Sequence, residues 1–182
     1  MRILAAIGAL AVIVGIGAAA FFFGGFYSVA GTMEDPAIVH WALVKVRTAS
    51  INNHAHDAAP ANFSDPANVQ AGAREFAEHG CANCHGAPGV NWAKFSEGLK
   101  PDPPDLKDVV DGLSPSQLFW VVKNGINMTG MPSFKLAGVK DEDIWLIVAF
   151  LKKLPKVSEA DYKAWTAPVP AAPVTTPPAP KQ

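Results

Sequence analysis

Cysteine is nearly absent: the 182 residues hold two, Cys81 and Cys84, both inside the stretch "CANCHGAPG". That excludes a disulfide framework, because a scaffold stapled by bridges spreads several cysteines along its chain. Blocks of like charge are missing too. Lys plus Arg number 15 and Asp plus Glu 16, interspersed, with no long basic run, so nothing points to nucleic acid as a partner. Alternation of apolar and polar residues over a strand's length is also lacking, which leaves helices as the organising element.

Charge is absent altogether between Arg2 and Glu34. Within this stretch, Ile3–Tyr27 is an apolar run long enough to cross a hydrocarbon core, which needs about 20 helical residues. Gly8, Gly15 and Gly17 weaken a soluble helix but are common in membrane-spanning ones. Arg2 precedes the run and Glu34 and Asp35 follow it, so the positive-inside bias places the N-terminus in the cytoplasm and the rest outside. A cleaved signal peptide is the competing reading, with small-residue sites ending at Ala20 and Ala30. Cleavage at Ala20 would leave "FFFGGFY" exposed, and the run exceeds the usual signal length, so a retained anchor is expected. Either reading exports the chain.

Beyond the run, "EDPAIVHWALVKVRTAS" predicts a helix capped by Asp35 with Pro36 first, lying at the lipid surface or packed on the main domain. "INNHAHDAAPANFSDP" is polar and turn-rich and predicts a linker; His54 and His56 within it lack companion metal ligands. A helix follows with Asp65 as cap, Pro66 first and Gly80 as terminator, carrying Gly72 and Phe76 one turn apart. "SPSQLFWVVKNG" has capping-box spacing, Ser114 with Gln117, and ends at Gly125. "DEDIWLIVAFLKKL" carries acids at its start and lysines at its end, matching the helix dipole. So small and loop-rich a helical core is marginal alone, which hints at a large buried cofactor. "SEADYKAW" adds a helical turn, and the Pro/Ala tail after it predicts an extended or disordered segment.

Three chemistries compete for Cys81, Cys84 and His85. A thioredoxin-like dithiol wants a preceding strand and a βαβ setting, and neither is present. A structural zinc ion needs four ligands; these residues supply at most three, and no second pair follows. Covalent haem uses all three: the thiols add across the porphyrin vinyl groups, and the histidine reaches the iron from one face. For the opposite face a methionine suits electron transfer, because its soft thioether stabilises ferrous iron and raises the potential. Met131, in "NMTGMPSF", is the expected ligand: Pro132 biases it toward extended backbone and Gly130 allows close approach. Met128 is read as a packing residue and His79 as a surface or haem-edge side chain.

"CANCH" together with the "TGMP" loop resembles class I c-type cytochromes, specifically the bacterial membrane-anchored monohaem type, over about residues 64–155. "HWALVKVR" and "DYKAW" are also similar to that subgroup. The resemblance implies an all-α, cytochrome c-like helical domain around one haem c, preceded by a single transmembrane helix. It implies that Gly72 and Phe76 pack against the last helix, where Trp145 and Phe150 offer aromatics. In "PPDL" it implies that the Pro104 carbonyl receives the Nδ1 hydrogen of His85, fixing its tautomer. Trp92, Trp120 and Lys94 are candidates for the haem propionates. The organisation expected is an anchor over 1–33, a juxtamembrane helix and linker over 34–63, the cytochrome c domain over 64–157, and a short helix with a disordered tail over 158–182.

With both axial positions filled, the expectation is a one-electron carrier with no catalytic residues, on the periplasmic side of a bacterial inner membrane. Its partners would be a quinol-oxidising complex, a terminal oxidase or a dehydrogenase. The alternatives are a fixed subunit of such a complex, and a haem-based sensor or enzyme in which Met131 is displaceable.

Overall fold

The computed structural model describes residues 1–168; the Pro/Ala tail expected to be disordered lies outside the described residues. The chain divides into two compact units, Met1–His40 and the remainder from Trp41.

In the first unit, helix α1 (Arg2–Phe23) buries none of its side chains, and Ile7, Leu10, Ile13 and Phe22 are all exposed. It is long and apolar enough to cross a membrane. Phe22 and Tyr27 meet at 5.5 Å, and the Tyr27 hydroxyl donates to Asp35 Oδ1 at 2.8 Å. Asp35 is therefore engaged by Tyr27. The first bonds of α2 (Ala37–His54) run instead to the Pro36 carbonyl, from Val39 N–H at 2.8 Å and His40 N–H at 3.1 Å.

In the second unit, α2 continues to His54, past the start of the expected linker. Tertiary contacts explain the extra turn. Ile51 is buried, Asn52 Oδ1 accepts from Gln117 Nε2 at 2.6 Å, and His54 stacks on Trp120 at 6.0 Å.

The core is built by α3 (Pro66–Glu78), α6 (Pro115–Asn124), α7 (Asp141–Leu151) and α8 (Glu159–Trp165), with short helices α4 (Ala82–His85) and α5 (Leu106–Val109) in the connections. Among the described residues there is no strand, only an isolated bridge between Ala87 and Val90. The closest crossing is α3 on α7. At Gly72 the Leu146 carbonyl occupies the place a Cβ would take, so only glycine lets the two backbones meet this closely. Phe76 lies 5.3 Å from Phe150 one turn on, and Phe119 of α6 stacks on Trp145 at 4.1 Å.

The capping box of α6 is complete: Ser114 Oγ accepts the Gln117 N–H and Gln117 Oε1 accepts the Ser114 N–H. Three acids stand in the first turn of α7, as its dipole favours. At the other end Lys152 reaches out of the helix, its Nζ donating to the carbonyls of Val110 (2.8 Å) and Leu113 (3.1 Å). It thereby pins the turn after α5. Tyr162 of α8 is buried against Phe150, and Arg74 Nη1 donates to the Trp165 carbonyl at 3.3 Å.

Candidate functional site

The two cysteines enter the site from the turn that follows α3. Cys81 N–H bonds the Phe76 carbonyl at 3.1 Å, closing α3, and Cys81 then serves as the first residue before α4. Its carbonyl accepts from both Cys84 N–H (3.2 Å) and His85 N–H (3.0 Å), so the second thiol and the imidazole follow one helical turn after the first thiol. Both thiols are free and half-buried. Burial pushes the Cys81 thiol up to about 12.

His85 is half-buried, and burial lowers its pKa; the Pro104 carbonyl and Asp105 act in the opposite direction. Its Nδ1 lies 2.9 Å from the Pro104 carbonyl oxygen. A carbonyl only accepts, so Nδ1 carries the proton and Nε2 keeps its lone pair. The neutral tautomer held here is the one a metal takes at Nε2. Asp105, next in the chain, accepts the Lys107 N–H at 2.9 Å and caps α5, which fixes the backbone presenting that carbonyl.

Met131 reaches the same core from the far side of the chain. Cys81, Ala82, Ala87 and Met131 all pack against one hydrophobic cluster containing Phe76, Phe119 and Phe150. The loop carrying Met131 doubles back on the end of α6. Gly125 has φ +70°, and a Cβ there would fall 2.6–2.7 Å from atoms of Met131 and Pro132, so the turn requires glycine. Ser133 Oγ donates to the Lys123 carbonyl at 2.9 Å, and Lys135 N–H to the same carbonyl at 3.1 Å. Lys123 itself pairs with Asp141 at 2.6 Å, tying the loop's base to α7.

Other residues singled out in the sequence have different surroundings. Met128, expected to pack, is 81% exposed with φ +60°, at the tip of the turn. His79 pairs with Glu75 at 3.3 Å and meets the Phe134 ring edge-on. Trp120 stacks on His54 and Lys94 pairs with Glu97, while Trp92 is half exposed. An open cleft of about 400 Å³ flanks His85, lined by Trp92, Asp105, Lys107, Leu154 and Glu159; it takes in neither thiol nor Met131. Sequence reasoning missed the brackets of the Met131 loop, Ser133 and the Lys123–Asp141 pair, for which the local pattern holds no sign.

Over residues 67–151 the chain matches the family described as cytochrome C oxidase, cbb3-type, subunit III. No curated protein and no solved structure matches it significantly. A c-type cytochrome domain implies haem c, and the residues present fit that group. The thiols are unbridged and one turn apart, His85 has its ligand nitrogen free, and a thioether borders the same core. A zinc site does not fit: among the described residues no three His, Cys, Asp or Glu side chains gather where they could hold a metal ion. The match spans "CANCH", Pro104 and the Met131 loop alike, and over that span the chain is similar to a c-type cytochrome domain.

Proposed function

We propose that the protein is a membrane-anchored monohaem cytochrome c, carrying single electrons on the extracytoplasmic side of a bacterial membrane. Cys81 and Cys84 would hold haem c through thioether bonds, and His85 and Met131 would ligate its iron. The bound group supplies reversible one-electron exchange between ferric and ferrous iron. The observation that carries this reading is the His85 Nδ1 to Pro104 contact at 2.9 Å, which prepares a histidine beside two thiols as a nitrogen ligand.

The chain's own contributions follow from its geometry. Pro104 holds the imidazole in one tautomer and one orientation. The Phe76–Phe150 core excludes water behind Cys81 and Met131. Gly125 and the Ser133–Lys123 bond hold the Met131 segment against the end of α6. With His85 and Met131 both holding it, the iron would keep no position for a substrate, which supports a carrier role. Helix α1 would confine the domain to the membrane and raise its effective concentration toward membrane partners.

A second reading is favoured by the description of the matched family, a subunit of a terminal oxidase: the protein would be a fixed electron-relay subunit of a larger complex. Mild detergent extraction followed by sizing separates the two. A free carrier leaves the membrane as a small species, whereas a relay subunit comes out in one stable heavy assembly. For the shared claim, acid-acetone treatment of the purified protein should leave one haem on each chain, and haem extracted into the solvent would refute it.

A further inference from the structure

We infer that Thr129 is a positioning residue that sets how readily the Met131 thioether leaves the iron. The inference rests on the reading of Met131 as axial ligand. The turn Gly125–Met131 is closed across its base by Ile126 N–H bonding the Met131 carbonyl at 3.2 Å. Inside it, Thr129 Oγ1 donates to the Ile126 carbonyl at 2.7 Å and accepts the Met131 N–H at 3.1 Å. One hydroxyl thus joins the two strands of the turn, and both polar backbone groups of Met131 are engaged within it. Pro132, next in line, has no N–H and a fixed φ, so it offers Met131 no alternative hydrogen bond on that side.

The surroundings make the hydroxyl matter. Gly125 admits the carbonyl groups of Met131 and Pro132 at 2.6–2.7 Å from where a Cβ would stand, so this segment already lies against the backbone there. Met128 at the tip is a non-glycine residue at φ +60°, a conformation L side chains adopt at a cost. The turn therefore carries local strain at its exposed end, and Thr129, half-buried between tip and ligand, offsets it with two bonds. Without the hydroxyl, the Met131 N–H and the Ile126 carbonyl lose a partner, and the turn can open outward, carrying the thioether with it.

The test uses the detergent-extracted full-length holoprotein and free imidazole as the probe. Imidazole reaches ferric iron only in molecules whose methionine has left, so its apparent affinity reports that fraction. Thr129→Val keeps the side-chain shape and removes the hydroxyl; it should bind imidazole roughly tenfold more tightly than the parent, with the hydroxyl restored in Thr129→Ser returning the parent value. Met131→Ala should lose the far-red methionine–iron band of the ferric form. If it keeps that band and the parent affinity, the ligand reading fails and the role of Thr129 fails with it. If Met131→Ala loses the band while Thr129→Val binds imidazole as the parent does, Thr129 is not a positioning residue and the ligand reading stands. A Thr129→Val protein with a lower thermal midpoint but unchanged imidazole affinity likewise overturns the inference, leaving Thr129 a merely structural role.

Discussion

His85 and Pro104 stand nineteen residues apart in the chain, yet the imidazole Nδ1 and the proline carbonyl oxygen are 2.9 Å apart. Because the carbonyl cannot donate, this contact places a proton on Nδ1. In the ¹⁵N-labelled protein the Nδ1 proton of His85 should be present and exchange slowly with solvent. A ring protonated at Nε2, or an Nδ1 proton exchanging as fast as that of a free histidine, contradicts the assignment.

The two methionines of the "NMTGMPSF" loop differ sharply in setting: Met131 packs on the core and Met128 is exposed. Met131→Ala should lower the reduction potential, since a thioether ligand raises it, and should let carbon monoxide bind the ferrous form rapidly. Met128→Ala should do neither. Potentiometric titration and carbon monoxide flash photolysis on the two variants check this, and the reverse pattern would transfer the ligand role to Met128.

At Gly72 the obstacle to a side chain is the Leu146 carbonyl of α7, backbone that cannot swing aside. Gly72→Ala should force α3 and α7 apart and destabilise the domain by about 1–3 kcal/mol or more. Denaturant unfolding followed by circular dichroism measures it; an unchanged midpoint would mean that the helices do not cross there.

Much of this was legible in the sequence because it is local. The Ser114–Gln117 capping box, Pro66 and Pro115 at helix starts, and the CxxCH spacing all act within a few residues, and each is found in place. The Gly72–Phe76 pairing with α7 was legible only through resemblance, since nothing in α3 itself names its partner. What local pattern could not supply came from long-range contacts. The last turn of α2 exists because Asn52 meets Gln117, 65 residues away. Lys152 looked like a dipole complement but spans back to Val110 and Leu113. Tyr162 reads only as part of an added helical turn until the core is assembled around it. Met128 misled for the opposite reason: an apolar side chain suggests packing, but its place at a left-handed turn tip turns it outward.

Helix α1 is apolar along its length and buries none of its side chains. The protein should stay in the membrane fraction after an alkaline carbonate wash, and its intact mass should include residues 1–33. Release into the wash, or a mature chain beginning after Ala20 or Ala30, would show that the segment is a processed signal instead of an anchor.

The electron-carrier reading meets its most direct test in a potentiometric titration of the purified holoprotein, following haem absorbance and the ferric methionine–iron band together. A single reversible one-electron wave is expected, with the band present throughout the ferric range. Absence of a reversible wave, or a ferric form without the methionine band, would contradict a His85–Met131 electron carrier.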